Sequence, residues 1–411
     1  MSSTLKAPGV GRFRLLCLLL VLSCAFPLSA AEHAQPEEPE VWLVTYGPGE
    51  IYWQRFGHNA IWVRDTGLGL DHVFNFGFFD FQQQDFFLRF LQGRMLYFSA
   101  ARPAQDEFTD YVNENRSIRA QRLDLSAQQK HRLIGYLLEE VRPENRDYLY
   151  DYYLNNCSTR VRDAIDLALD GKLKAEFLPA SAAQTWRDHT RRLTFEDFWL
   201  YLGLEAGLGS PVDREISPWD EMFIPGNLAE TLASLQYETD GLALPLVLED
   251  IELYKSSLDA PPASPRAWWP RYLLASFGVV LAFWLLSRLF SPAVIVLLAR
   301  SWLFISGSCG LLLLFLWFGT DHSAAGYNMN LLVFCPAWIL AALWKGHEKL
   351  VLQIIAGVSV FALAACWIPP YQYTADVLAA FIPLNLAAAL GLFRFRSLPA
   401  DPPGAPASAD R

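Results

Sequence analysis

Asn155-Asn156-Cys157-Ser158-Thr159-Arg160-Val161-Arg162-Asp163 is the stretch on which the reading of this chain turns. Asn156 belongs to the residue types that cap helix N-termini, and Val161, Ala164, Ile165 and Ala168 form one apolar stripe at helical spacing. A helix is expected to start here and to stop near Gly171, a residue suited to a helix C-terminus. Cys157 then falls in the first turn, where free backbone N–H groups and the positive end of the helix dipole favour a thiolate. A cysteine so placed is expected to titrate below the usual ~8.5, and the same N–H groups would steady an oxyanion on an acyl carbon under attack. Cys157 is also the one cysteine between residues 25 and 308. A lone thiol in an oxidising compartment closes no bridge within its domain, which makes it a candidate nucleophile; the bland reading is a small buried apolar residue.

The compartment follows from the ends of the chain. Arg12 and Arg14 precede the apolar run Leu15 to Phe26, followed by Pro27 and Ser29-Ala30-Ala31. This pattern predicts an export signal cut after Ala31. Val21-Leu22-Ser23-Cys24 also resembles a lipoprotein processing site, and an uncleaved anchor is a further alternative. The chain has 411 residues, 53% of them hydrophobic, and a net charge of -10. That is too apolar for a wholly soluble protein and enough for about two to three domains. After residue 270 five membrane spans are expected, near Tyr272–Leu289, Ser301–Gly319, Asn330–Trp344, Val351–Ile368 and Val377–Phe393, several of them short against the ~20 residues that cross a bilayer. With the preceding domain outside, the inner loops carry Arg288, Arg300, Lys345, Lys349, Arg394 and Arg396, and the outer loops 321–329 and 369–376 carry no Lys or Arg. This positive-inside pattern agrees with the export signal. Cys309, Cys335 and Cys366 lie in these spans as small apolar packing residues. The net acidity lies mainly in the exported part and argues against a nucleic-acid partner. The expected organisation is residues 1–31 as signal or anchor, 32–260 as the exported domain, 261–270 as linker, 271–394 as membrane helices and 395–411 as a cytoplasmic tail.

Within the exported part, Val41 to Thr45 reads as a strand and Tyr46-Gly47-Pro48-Gly49 as a turn. His58 to Arg64 reads as a second strand, Asp65-Thr66-Gly67-Leu68-Gly69 as a hairpin turn, and Asp71 to Gly77 as the return strand. Helices are expected over 127–140, 195–204 and 228–235. Pro261, Pro262 and Pro265 stiffen the linker, and Trp268-Trp269 anchor the membrane interface.

A thiolate nucleophile needs a base within hydrogen-bond reach. His33 lies in the polar lead-in. His131, on a charged helix, and His189, in Arg187-Asp188-His189-Thr190-Arg191, are expected at the surface. His58 opens a strand next to Gly57, which allows close approach, and is the favoured base. Asn75 and His72 compete for the third position. With the hairpin turn centred between Gly67 and Leu68, Ala60 faces Asn75, and His58 shares a face with Asn75; a slip of one residue substitutes His72. Arg160 reads as helix surface or as a contact for an anionic head group. There is no His-Glu-x-x-His, paired-cysteine metal site, Gly-rich phosphate loop or Gly-x-Ser-x-Gly elbow, so neither a cofactor nor a metal is expected.

Tyr46-Gly47-Pro48-Gly49, Arg55-Phe56-Gly57-His58-Asn59-Ala60, Phe74-Asn75-Phe76-Gly77, Arg142-Pro143-Glu144-Asn145-Arg146 and, most specifically, residues 155–163 resemble motifs of the DUF4105 proteins and of the Lnb-type bacterial lipoprotein N-acyltransferases. Asp321-His322 through Asn328-Met329-Asn330-Leu331-Leu332 and Pro336 resemble the membrane part of the same family. The resemblance implies an α+β fold: a circularly permuted papain-like periplasmic domain, NlpC/P60-like and similar to lecithin:retinol acyltransferase-like enzymes, followed by an all-α membrane bundle of about five helices. It implies a cysteine-dependent acyltransferase of the bacterial inner membrane. Cys157 would be the nucleophile, His58 the base and Asn75 the third residue. The donor would be membrane phospholipid and the acceptor the N-terminal amine of diacylglyceryl-modified lipoproteins. The aromatic run Phe74–Phe87 would be mostly core, with part of it available as an acyl-chain groove. The same dyad would serve a papain-like peptidase or cell-wall amidase, and a non-catalytic membrane receptor or assembly protein is the remaining alternative.

Overall fold

The structure, a computed structural model, describes residues 38–239, 242–368 and 371–396. The export segment and most of the tail lie outside the described residues. The exported domain is built on strands β1 (Glu40–Tyr46), β2 (His58–Asp65), β3 (Leu70–Phe78), β4 (Leu96–Pro103), β5 (Ile118–Leu123), β6 (Asp147–Leu149) and β9 (Val247–Tyr254), with a separate hairpin of β7 (Gln236–Thr239) and β8 (Leu242–Pro245). The seven strands form one antiparallel sheet in the order β6-β4-β3-β2-β1-β5-β9. Period-2 alternation gives it two apolar faces. On one, Val41, Leu43, Ile61, Val63, Phe74 and Phe76 meet Leu133, Leu137, Val161, Ile165 and Leu228 from helices Ala127–Glu140, Cys157–Ala168 and Pro225–Ser234. On the other, Val44, Tyr46, Ala60 and Val73 are covered by Phe108 and Tyr111 of helix Ala104–Asn113.

Four described helices are long and apolar enough to span a membrane: Trp269–Leu286, Pro292–Phe318, Glu348–Ala365 and Ala375–Phe395. The remaining expected span, Asn330–Trp344, is a shorter apolar segment and not one long helix. Residues 329–343 instead form a 3-10 turn, Met329–Leu332, and a seven-residue helix, Ala337–Leu343. The cause is local. Pro336 has no N–H to give and interrupts the helical ladder. The Val333 carbonyl accepts from Trp338 Nε1 and from Asn385 Nδ2, both at 2.9 Å. A break at membrane depth is tolerated when neighbouring side chains satisfy the freed backbone in this way. Pro383, inside the last helix, frees the Ala379 carbonyl, which accepts from Ser276 Oγ of helix Trp269–Leu286 at 3.0 Å.

The outer loops are docked on the exported domain. Asp321, His322, Asn328 and Asn330, read from sequence as boundary residues, bind Arg94, the Phe90 carbonyl, the Ala206 and Gly207 carbonyls and the Glu205 carbonyl. Helix Phe198–Gly207, expected three residues earlier, is the element that Asn328 and Asn330 grip.

Candidate active site

The helix of the quoted stretch runs Cys157–Ala168 and opens with a capping box: Asn156 Oδ1 accepts from Thr159 N–H at 2.9 Å and Thr159 Oγ1 from Asn156 N–H at 2.7 Å. It ends at Ala168, three residues before the expected stop; Gly171, at φ +79°, begins the next helix. Asn156 Nδ2 also donates to the Tyr152 and Phe223 carbonyls, which fixes the first turn to two distant segments. Cys157 thus starts a helix held against β2 and β3.

The register of β2 and β3 is the one read from the hairpin turn: Ala60 faces Asn75. His72 faces Val63 and belongs to the opposite face. His58 Nε2 lies 2.9 Å from Asn75 Oδ1. An oxygen acceptor there calls for a proton on Nε2 and leaves Nδ1 as the basic nitrogen. Cys157 approaches from the helix side, against the backbone of Asn59. The N–H groups of Asn59, Ser158 and Cys157 itself favour its thiolate, and Asn59 is the residue after His58. Gly77, two residues after Asn75, has φ +96°, and a Cβ added to it would sit 3.4 Å from Cys157 Cβ. The positive φ is what favours glycine there, and the added Cβ would only come into van der Waals contact with Cys157.

The electrostatics differ from the sequence expectation. Burial pushes the Cys157 thiol above its ordinary value, and the N–H groups and Arg116 only partly offset this. Helix-terminus stabilisation is outweighed because desolvation acts on the full charge of the thiolate. Burial also lowers His58 to about 4, against the Asn75 bond. At neutral pH Cys157 is therefore a thiol and His58 a neutral imidazole.

Sequence reasoning missed the groups that hold the pair. Ser158 Oγ lies 2.8 Å from Asn59 Oδ1 and 2.6 Å from the Met222 carbonyl, so one hydroxyl links the neighbour of Cys157 to the neighbour of His58. Tyr46 and Tyr111 stack at 3.5 Å, and both lie parallel to the His58 ring. Arg116 sits over Tyr111 and donates to the Gly47 carbonyl at 2.9 Å. Behind Asn75, the buried Glu107 carboxyl lies against Asn75 and Tyr46 and pairs with Arg102 at 3.1 Å. Arg160 is engaged by Glu140, Asn155 and the Tyr148 ring, so a head-group role is not available to it without breaking these contacts. His189 is not on the surface: it is buried and its Nε2 lies 2.7 Å from Glu221. His131 is exposed, as expected. Among the described residues no cluster of His, Cys, Asp or Glu has the arrangement of a metal site.

Two outcomes follow from this geometry. Ser158→Ala removes a buried hydroxyl and leaves Met222 and Asn59 oxygens without it, which is expected to cost about 1–3 kcal/mol in chemical unfolding and to lower the reactivity of Cys157 toward a small alkylating reagent. An unchanged alkylation rate would show that the link does not position the pair. For His58, the folded value near 4 lies below the unfolded ~6.5, so the unfolded state binds the proton first. The contribution of neutral His58 is complete above about pH 6.5 and is lost as pH falls toward 4, a span of roughly 3 kcal/mol. Thermal unfolding followed from pH 7.5 to 4.5 is expected to fall more steeply for the native chain than for His58→Gln. Parallel curves would place His58 in a solvent-like environment.

The fold and the cluster together define a membrane protein with a mixed α/β exported domain that carries Cys157, His58 and Asn75 at the junction of one helix and two strands. Residues 28–192 match the Lnb N-terminal periplasmic domain and residues 264–393 match the Lnb transmembrane domain. The chain belongs to the Lnb family, and its exported domain is periplasmic. No match was found among curated proteins or among solved structures.

Proposed function

We propose that this chain is a thiol acyltransferase of the bacterial inner membrane that moves an acyl chain from phospholipid, through a Cys157 thioester, to the N-terminal amine of diacylglyceryl-modified lipoproteins. The observation that carries the reading is the His58–Asn75 hydrogen bond beside Cys157, in a domain docked on membrane helices. The periplasmic domain is read as a permuted papain-like fold, with the base on a strand that precedes the nucleophile's helix. Residues 1–31 are read as its export signal or anchor.

The roles follow from the protonation states. The Cys157 thiol gives its proton to His58 as sulfur attacks the ester carbonyl, and the N–H groups around the first helical turn receive the developing oxyanion. The carbonyl re-forms as the ester C–O bond breaks. His58 passes the proton to the departing alkoxide, which leaves as lysophospholipid. The lipoprotein amine then attacks the thioester and loses a proton to His58, which returns it to the Cys157 sulfur as that sulfur leaves. Asn75 holds the imidazole in one tautomer throughout. A neutral resting pair suits this cycle because each proton is moved when charge develops.

The test is the intact mass of the detergent-purified protein after incubation with one defined phospholipid. The expected result is one added acyl group that maps to Cys157, is released by hydroxylamine, and is lost when a diacylglyceryl-cysteine peptide is supplied. Absence of both adduct and lysophospholipid would overturn phospholipid acyl transfer. Release of peptides from murein under the same conditions would replace it with an amidase.

A further inference from the structure

The periplasmic domain carries an apolar surface that its core does not use. In helix Phe86–Gln92, Phe86 is buried, but Phe87 is 74% exposed and Leu88 51% exposed, and Phe90, Leu91, Phe81 and Trp53 are open as well. The rings are contiguous: Trp53 meets Phe81 at 5.9 Å, Phe81 meets Phe86 at 5.0 Å, and Phe86 meets Phe87 at 5.3 Å. Scattered exposed hydrophobics need no explanation, whereas a joined patch of this kind marks a binding surface.

Its position says what covers it. The helix ends at Gly93, where φ is +74° and an added Cβ would come within 2.7 Å of the His322 backbone nitrogen. The Asp321 N–H donates to the Gln92 carbonyl at 2.8 Å, His322 Nε2 lies 3.0 Å from the Phe90 carbonyl, and Arg94 pairs with Asp321 at 2.6 Å. Asp321 follows by three residues the last residue, Phe318, of a membrane helix. Three residues reach at most about 11 Å, so the patch is held at the depth of the periplasmic head groups.

A row of rings leads from the patch to the thiol. Phe86 meets Phe79 at 6.1 Å, Phe79 meets Tyr97 at 5.2 Å, and Tyr97 stacks on Tyr150 at 4.4 Å. Tyr150 and Cys157 both border the space beside Gly77.

We infer that Phe81, Phe87, Leu88 and Leu91, with Trp53, are immersed in the periplasmic leaflet of the membrane that holds the C-terminal helices, and that the row Phe86-Phe79-Tyr97-Tyr150 is the wall along which a lipid chain reaches Cys157. Immersion stands on the docking geometry alone; the path rests on the acyltransferase reading.

The immersion test uses the full chain with its six native cysteines replaced, reconstituted in phospholipid vesicles, with a fluorophore on a single cysteine at Phe87→Cys, at Leu88→Cys in a second variant, or at Gln128→Cys as the solvent-side reference. The first two are expected to be quenched several-fold more by a nitroxide on the lipid chain than by aqueous iodide, and Gln128→Cys the reverse. Iodide quenching at 87 and 88 equal to that at 128 would overturn immersion. This background lacks Cys157, so its outcome is independent of any chemistry. The path test uses the otherwise native chain with Phe87→Glu and Leu88→Glu together. Acyl-adduct formation from vesicle lipid is expected to slow at least tenfold while alkylation of Cys157 by a small soluble reagent is unchanged. An unchanged adduct rate would overturn the path. Absence of adduct in the native chain itself would instead reject the acyltransferase reading and leave immersion standing.

Discussion

Cys157→Ala is expected to take acyl-adduct formation below detection while leaving the fold intact. Alanine fits the first turn of the helix, keeps the Asn156–Thr159 capping box and removes only the sulfur. Cys157 is half-buried among Gly77, Tyr150 and the Asn59 backbone, so the stability change should be about 1 kcal/mol or less, in the range of a small cavity that neighbours can close. Cys157→Ser is the sharper variant. It keeps size and hydrogen bonding, but a hydroxyl is a far weaker nucleophile, and burial penalises an alkoxide more than a thiolate. A neutral imidazole near pKa 4 is a weak base for it. Intact mass with hydroxylamine release separates the outcomes. A serine variant that still accumulates an adduct, now stable to neutral hydroxylamine, would show that nucleophile identity matters less than the surrounding N–H groups. An alanine variant that retains the adduct would move the acylated residue elsewhere and remove Cys157 from the chemistry.

How much of this was legible in the sequence depends on whether the deciding partner was local. The Asn156 cap, the helix after it and the Ala60–Asn75 register are local, and each is found as expected. The choice between Asn75 and His72 hung on where the hairpin turn is centred, and the observed register puts Asn75 opposite Ala60, on the face of His58. His189 was misread because Arg187, Asp188 and Arg191 around it suggest a solvated run. Their partners, Glu221, Asp213, Glu205 and Asp376, come from segments up to 185 residues away (376 against 191) and turn that charged run into a buried network. The thiol's direction was misread for a related reason. A helix N-terminus is visible in a sequence, whereas the Tyr150 and Gly77 contacts that desolvate Cys157 are not. The broken third span shows a signal that was present but underweighted: Pro336 lies seven residues into an expected fifteen-residue span. Strand β5 went unread because Arg119 and Gln121 occupy its alternate positions, β4 because its sequence Leu96–Pro103 does not alternate, and the pairing of both is decided by β1 and β3 across the sheet.

Arg187→Met is expected to be among the most destabilising single substitutions available, at about 3–5 kcal/mol, because it strips a buried charge network of its centre. Arg187 is 1% exposed. Its Nε and Nη2 bind Asp213 at 2.7 and 3.0 Å, Nη2 also donates to the Leu208 and Gly209 carbonyls, and Nη1 lies 3.6 Å from Glu205. Burial raises Glu205 to about 7 even with Arg187 and Arg191 pulling it down. Without Arg187 it takes up a proton at neutral pH, so most of the cost falls on Asp213, which would be left buried and unpaired. The loss does not stay local. The Tyr373 N–H donates to Asp213 Oδ1, and the Gly209 N–H to the Ala324 carbonyl, so the segment that Arg187 organises carries both outer loops of the membrane bundle. Thermal unfolding in detergent is expected to drop sharply, and limited proteolysis to separate the periplasmic domain from the helices. Because the charge rather than the volume is at issue, Arg187→Met combined with Asp213→Asn is expected to recover part of the loss, and a double-mutant cycle measures how much. A cycle with no coupling would mean that Arg187 acts through packing and the two carbonyls. If coupling is found but the adduct still forms at the native rate in the single variant, docking of the two parts would not be needed to deliver lipid to Cys157. The soluble domain would then have to meet its substrate by a route other than the leaflet beside it.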